Sequence, residues 1–377
     1  MTSQRIVVVG GGMAGVSLGS ELALDHHVVL LEAERSLAVH STGRSAALFL
    51  GGYGPPPVRE LTRRSEAEFA RLSALPGMPT LLTARGGLFT AWNEPAATAL
   101  AALLASRPSM SAVSAAQARA LCPVLLTEGA ALCAFEAGAS DIDVSALHAY
   151  YAGLLRRRGG QIVTGARVVA ADRLPSRWEL RTGDGRRWSA DLVVNAAGAW
   201  GDEVAELCAG AGHGLSPRRR TVVIAPAARP IPPGWPIVAD AAENWYFKPE
   251  GAAILLSPCD ESEAPPGDAK PDPLDVASAL ERVNAVTTLR LRSVRTSWAG
   301  LRTFAADRAP VVGPHPDEAT LFCFVGQGGY GIQMAPALAQ VGAELIRSGG
   351  LADEALGAAI DPRRIPAANA PRRGEAR

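Results

Sequence analysis

Charge of one sign is missing from this chain: its 37 Lys and Arg are matched by 37 Asp and Glu. Without a basic excess there is no field to recruit nucleic acid or an anionic membrane surface. Long hydrophobic runs are missing too, since no stretch reaches the roughly 18 uncharged apolar residues of a spanning helix. No signal peptide is read at the start, where Val7 to Val9 run directly into glycines without a cleavage site. Cysteine is scarce, with five residues (Cys122, Cys133, Cys208, Cys259 and Cys323), odd in number and scattered. That spacing excludes a disulfide framework and a zinc site, and fits reduced thiols in a cytoplasmic protein. The six histidines form no cluster, so no metal is expected, and no internal repeat is visible.

Glycine is abundant, at 39 residues, and the first of them are ordered. Ile6 to Val9 are four successive β-branched residues, as a strand buried on both faces requires. Gly10, Gly12 and Gly15 follow in the G-x-G-x-x-G spacing. In that pattern the first glycine allows a tight turn, the second lets a pyrophosphate approach the backbone, and the third lets the helix pack on the strand. The helix, from Met13 to about Leu24, directs its free N–H groups at phosphate, with Ala14 in its first turn. A second strand, Val28 to Leu31, ends in Glu32 followed by Ala33, with Glu32 placed to accept from a ribose diol. Strand, turn, helix, strand and terminal acid fall within about 30 residues, the order that dinucleotide binding demands.

The remaining length leaves room for further domain-sized units. Residues 33–58 read as a long irregular stretch, which in a compact domain is usually functional. Gly51, Gly52 and Gly54 around Tyr53, before Pro55 to Pro57, read as a hinge for a segment that opens and closes. Helices are expected over 58–72, 94–121, 144–157 and 274–289, and from Ile332 to Arg347. A hairpin is expected from Leu81 to Trp92, and strands over 161–171, 178–182, 191–195, 218–223, 246–248, 253–256, 298–304, 311–312 and 321–325. Residues beyond Asp361 read as a frayed tail.

In this order, the segments GGGMAG (10–15), HSTGRSAA (40–47), VVNAAGAW (193–200), WAGLRTFAAD (298–307) and GQGGYGIQ (326–333) resemble flavoprotein amine oxidoreductases of the D-amino-acid oxidase superfamily. Among these, the chain is most similar to bacterial D-arginine and D-amino-acid dehydrogenases, a likeness extending to YGPPPVRELT (53–62), SDIDVSALH (140–148), PRRRT (217–221) and WYFKP (245–249). The resemblance implies an α/β fold with an α+β substrate domain. A Rossmann-like FAD-binding domain (1–80, 141–205 and 298–360) would interleave with an antiparallel-sheet substrate domain (81–140 and 206–297), leaving 361–377 as a flexible tail.

The resemblance also implies roles. Arg302 would clamp a substrate carboxylate with its planar fork, with Arg220 as a second arginine nearby. Tyr246 and Tyr53 would close over the substrate, and the Gly329 carbonyl would meet its amine. FAD, bound without a covalent link because no cysteine lies in 298–307, would contact Thr42, Gly43, Arg44, Ser45, Ala46, Ala47, Val168, Ala197, Gly198 and Trp200. Gly326, Gly328, Gly329, Tyr330, Gly331, Ile332 and Gln333, with the last helix's N-terminus, would face the flavin pyrimidine ring and stabilise charge developing there. Three departures bear on the substrate. The arginine-specific relatives have a carboxylate where this chain has Gly86-Gly87, and a histidine where it has Leu48; Leu50 replaces a small polar residue. A pocket of Leu48, Leu50, Gly87 and Ile332 without a buried carboxylate disfavours a cationic side chain. The expected reaction is therefore oxidative deamination of a D-amino acid with a neutral or apolar side chain, electrons passing to O2 or a quinone-type acceptor. Alternatives are an oxidase of sarcosine, glycine or a cyclic imino acid, a tailoring enzyme on an amino-acid-like metabolite, and, from another class, an NAD(P)-dependent reductase. A monomer or weak dimer is expected.

Overall fold

The computed structural model describes residues 3–365. A six-stranded sheet runs in the order Val311–His315, Glu318–Val325, Leu192–Asn195, Arg5–Val9, His27–Leu31 and Gln161–Val163. All its pairings are parallel except that of the first two strands. The near-continuous apolar strands are buried on both sides, as parallel sheets require. On one face lie the helices Met13–Leu22, Pro56–Ser73, Val144–Arg157 and Ala335–Ser348, which share a core with Ile6, Val8 and Leu30. On the other face Val7, Val9 and Leu31 pack on Trp178 and Leu180 of a three-stranded antiparallel sheet.

The second large layer is a nine-stranded sheet in the order Gln327–Gly328, Thr296–Phe304, Ser216–Pro226, Ala253–Ser257, Tyr246–Glu250, Ile237–Asp240, Gly87–Ala91, Leu132–Glu136 and Met110–Val113. Its pairings are antiparallel except where Ile237–Asp240 meets Gly87–Ala91. The helix Pro273–Val286 covers one face around Phe247, Val223 and Ile254. A small sheet of Leu48–Phe49, Ser140–Ile142 and Leu82–Ala84 joins the two layers. There Asp141 receives Lys248 Nζ at 2.8 Å and the Arg85 guanidinium, so its half-buried charge is met twice. At Gly326 the chain steps from one large sheet into the other: Val325 ends a parallel strand, and Gln327 pairs with Phe304.

Several elements differ from the sequence reading. The stretch 94–121 is not one helix: the helix Glu94–Ser106 stops before Arg107-Pro108, the strand Met110–Val113 follows, and a second helix runs from Ala115 to Leu121. Proline disfavours helical backbone at the residue before it, and Ser114 opens the second helix with a capping box to Gln117. The stretch 161–171 divides at Gly165, whose N–H donates to Glu34 O as the chain leaves the parallel sheet. The helix Gly201–Ala209 went unread. The last helix starts at Ala335, three residues later than expected. Thr296–Phe304 lies in the nine-stranded sheet, hydrogen-bonded to Ser216–Ile224 along its whole length, although the sequence division groups it with the nucleotide unit. Pro362–Arg364 forms a short turn of 3-10 helix, and the rest of the expected tail lies outside the described residues.

Candidate active site

A cleft of about 610 Å³ runs between the two large sheets, from the first glycine turn to the arginines of the nine-stranded sheet. At the nucleotide end, Gly15 packs against the carbonyl of Gly10 so closely that a Cβ would collide with it. This is the strand-to-helix contact the third glycine serves. The helix Met13–Leu22 has Gly12 as its N-cap and no acidic residue in its first turn, which leaves its positive end open to the cleft. Thr42 Oγ1 accepts from Met13 N at 3.0 Å. Glu32 accepts from Gly11 N at 2.6 Å and Glu34 N at 2.8 Å, so its carboxylate is held beside the turn. Beneath the turn, buried His148 bonds Gly11 O at 3.0 Å through Nε2, and burial pushes its pKa down, so it donates there as the neutral ring.

The middle of the cleft is lined by Ser45, Ala46, Ala47 and Leu48 on one side and Gly326, Gly328, Gly329 and Gly331 on the other. Ala47 has φ +60°, a left-handed conformation uncommon for alanine. It is pinned by the bond from its N–H to Ser45 Oγ and by its carbonyl accepting from Ile142 N. Burial pushes the Cys259 thiol in the cleft wall up to about 11, which keeps it protonated and unreactive near neutrality.

At the far end, Arg302 projects from Thr296–Phe304. Its Nη2 donates to Tyr53 Oη at 2.9 Å and its Nη1 to Glu261 at 3.0 Å. The rings of Tyr53, Phe304 and Tyr330 surround its guanidinium, with centroids 5.4–5.9 Å away. Burial works against the charged form, but Tyr53, Tyr330 and Glu261 outweigh it and raise the Arg302 pKa. Arg302 sits opposite Arg218 in the sheet register, so Arg220, two residues on, falls on the same face. Arg220 donates to Glu261 at 3.0 Å and lines the cleft, while Arg219 turns away to Asp275. A Cβ at Gly329 would collide with the Arg302 guanidinium, so backbone lies directly against it. Tyr246 lines the same space, and burial pushes its hydroxyl up to about 12; burial raises Tyr53 as well.

Of the residues expected at the site, four are not among those lining the cleft: Gly15, Gly43, Gly87 and Tyr330. Gly15 and Gly43 pack against backbone instead. Tyr330 is buried edge-on against Tyr53, ring centroids 5.0 Å apart. Gly87 lies behind Phe89 and Ala139, and Phe89 is the residue of that strand that reaches the cleft. Arg44 lines the cleft, but its guanidinium is spent on the carbonyls of Val39, Ala269 and Ala299 and on Asp268. Gln333 directs its amide to both backbone groups of Leu50 and to Thr62, which makes it a strut for the Tyr53 loop. The N-terminus of the last helix is set back from the glycines, and its Ala337 N–H is taken by Ser65.

The sequence reading missed Glu261 and Arg107. Arg302, Arg220 and Arg308 all donate to Glu261. Burial would raise its pKa, but Arg308, Arg302 and Arg220 outweigh it and hold the carboxyl below its ordinary range. Glu261 follows a strand in an irregular stretch with no local pattern to mark it. Arg107 was hidden by reading 94–121 as one helix, although Pro108 signalled the break.

The geometry joins a dinucleotide-type glycine turn and a buried arginine cluster in one cleft. The chain belongs to the FAD dependent oxidoreductase (DAO) family, whose model matches residues 5–345. It is 35% identical over 180 residues to FAD-dependent oxidoreductase domain-containing protein 1 of Bos taurus, covering 42% of this chain and 36% of that protein. The match therefore spans about a third of that curated relative's length. Among solved structures, L-proline dehydrogenase from P. horikoshii is similar with a TM-score of 0.82 at 20% identity, covering 96% of this chain and 98% of that one. Glycine oxidase from Geobacillus kaustophilus gives 0.80 at 21%, covering 93% and 96%. At these identities the likeness is one of fold. Among the described residues no helix is long and apolar enough to cross a membrane.

FAD fits the residues present: the first turn leaves backbone where a side chain would collide, and the cleft continues from Glu32 to Arg302. Gly10–Ala14 and Glu32 would hold its nucleotide part, Val168 and Trp200 the wall beside that part, and Ser45–Ala47 with Gly326–Gly331 its ring system.

Proposed function

We propose that this oxidoreductase dehydrogenates the Cα–N bond of a D-amino acid. The observation that carries the reading is Arg302, an arginine with its guanidinium aimed into the same cleft as the dinucleotide turn and pressed against the Gly329 backbone. Bound FAD supplies a two-electron acceptor. The residues do the rest. Arg302 and Arg220 receive the substrate carboxylate, Glu261 holds the two guanidinium groups in register, and Tyr53 and Tyr246 close the space above. Gly329, free of a side chain, offers its carbonyl to the amine. As the hydride leaves Cα, the nitrogen lone pair becomes the C=N bond, and water then releases a 2-oxo acid and ammonia.

With burial holding Tyr246 up at about 12, neither it nor Tyr53 supplies a base near neutrality, so the amine must arrive unprotonated. The expected kcat/KM rises with pH toward the amine's own pKa; a flat profile between pH 6 and 10 would contradict this. Leu48 and Leu50 add apolar wall, Asp240 is engaged by Asn244, and Glu243 accepts from Tyr53. Among the described residues no carboxylate along the cleft is without a hydrogen-bonded partner, and D-arginine and D-lysine are expected to be poor substrates. The test is anaerobic. Loss of the visible flavin absorbance is followed on mixing with D- and L-amino acids, sarcosine, glycine and D-proline. Rapid loss with D-amino acids other than arginine and lysine supports the reading; loss confined to sarcosine, glycine or proline replaces it.

The two sheets meeting along this cleft divide the work in the same proposal, the six-stranded layer holding FAD and the nine-stranded layer presenting the substrate. The same reading expects a cytoplasmic enzyme whose electrons pass to O2 or a quinone-type acceptor.

A further inference from the structure

Beyond the clamp the cleft ends on an arginine with no hydrogen-bonded partner. Arg107 is 7% exposed and lines the cleft with Leu50, Tyr53, Phe89 and Leu103. Its Nε and Nη1 are buried and bond to nothing among the described residues. The nearest acid, Glu136, is 2% exposed and forms a buried ion pair with Nη1 at 3.7 Å, too long for a hydrogen bond, so its own Oε2 is left unbonded. Glu136 Oε1 is approached only by Ser109 Oγ at 3.4 Å and does not line the cleft. The guanidinium lies over the Phe89 ring, 5.8 Å from its centroid. Buried donors in native proteins are almost always satisfied, so an arginine left in this state at a cleft wall is a place where a ligand belongs.

The neighbouring backbone is shaped around it. A Cβ at Gly52 would collide with the Arg107 side chain. Gly52, read from sequence as part of a hinge, is a close approach whose missing side chain lets the loop lie on Arg107. Tyr53, next in the chain, carries Arg302 on its hydroxyl and ring. The two arginines thus flank a single loop, Arg302 on one side and Arg107 on the other, in one continuous cleft. Asp240 and Glu243 also line the cleft; they accept from the neutral Asn244 and Tyr53, and Glu243 is near enough to favour the charged form of Arg107.

We infer that Arg107 is the specificity residue of a distal subsite that takes a second carboxylate, at the end of the substrate's side chain. A planar guanidinium fork suits that group better than any neutral acceptor. The substrate is then an acidic amino acid: its α-carboxylate is on Arg302, its methylenes lie along Leu48 and Leu50, and its terminal carboxylate is on Arg107. The inference rests on the proposed amino-acid oxidation and replaces its apolar preference with an acidic one.

The test uses the FAD-loaded full chain in two independent assays. In the first, succinate, glutarate and adipate are titrated against butyrate, pentanoate and hexanoate, following the flavin absorbance spectrum. At least one diacid is expected to bind tenfold or more tighter than the monoacid of equal length; equal affinities throughout overturn the inference. In the second, anaerobic reduction by D-aspartate and D-glutamate is compared with that by D-glutamine and D-norleucine. The Arg107→Met/Glu136→Gln double variant, which leaves no lone buried charge, is expected to lower the acid-to-norleucine ratio of kcat/KM at least tenfold. An unchanged ratio overturns the inference while the amino-acid reading stands. If no amine reduces the flavin but a diacid still binds tighter, the amino-acid reading fails and the subsite stands. Should the double variant not fold, the diacid comparison on the unaltered chain decides alone.

Discussion

The two ends of the cleft are built in opposite ways. At the nucleotide end, Gly10, Gly12, Gly15, Glu32 and Thr42 come from one strand-helix-strand unit and the loop after it, and their contacts are largely backbone. At the clamp end, Tyr53, Arg220, Tyr246, Glu261, Arg302 and Gly329 come from six separate segments, held by charged side chains. The first end is therefore tolerant of most side chains and intolerant of added Cβ atoms. The second depends on each charge having its partner and on bare backbone at Gly329. Damage to the first should show as lost cofactor, and damage to the second as lost turnover with cofactor retained.

The largest separation is expected from Arg302→Met. Removing one member of a buried charge cluster costs roughly 2–5 kcal/mol. We therefore expect kcat/KM to fall on the order of a thousandfold while the FAD content of the purified protein holds. Coincident loss of flavin would erase the division between the ends. Next comes Gly329→Ala, which displaces a guanidinium at the tip of a flexible side chain and no backbone. Its expected effect is a KM increase of about tenfold or more, with Tm changed by only a few degrees. For the nucleotide end, Glu32→Gln weakens the charge-assisted bonds to Gly11 N and Glu34 N and, in the proposed mode of binding, to a ribose. FAD affinity is expected to fall roughly tenfold, with kcat/KM of the loaded fraction unchanged; a change in turnover per bound flavin would merge the two ends.

Acid sensitivity separates the parallel layer from the clamp end as well. His213, buried beside His315 and Cys323 against the parallel sheet, is pushed down by burial to about 4. Its folded pKa lies below the unfolded value of about 6.5, so the unfolded chain binds more protons between the two. The stability it contributes is present above about pH 6.5 and is lost as pH falls toward 4, by up to roughly 3 kcal/mol. Tm should therefore drop across that window, and His213→Asn should flatten the drop. Glu261, held below the ordinary carboxylate range, keeps the clamp end charged through the same window.

This division also decides what was legible in the sequence. The glycine turn, Glu32 and the parallel strands could be read because each is fixed by residues near it in the chain. Arg302 and Arg220 could be placed only through resemblance, since nothing local says that the strand at 216–226 lies beside that at 296–304. Glu261 was illegible for the same reason, lying in an irregular stretch whose partners are about 40 residues away or more. Gly87 was misplaced because it shares its strand face with Phe89, two residues on, whose ring lies over it and takes the place at the cleft. Arg107 needed only the rule that a helix ends before a proline.

The step at Gly326 gives the two ends a shared mechanical joint. One uninterrupted segment carries Val325 in the parallel sheet, the glycines beside the ring-system wall, and Gly329 against Arg302. Ordering that segment from one side removes motion that the other side would otherwise have to remove. Binding at the two ends is then thermodynamically linked, and the linkage is reciprocal: the flavin-loaded protein should hold a carboxylate more tightly than the apoprotein. By the same factor, a saturating carboxylate should tighten the equilibrium affinity for flavin.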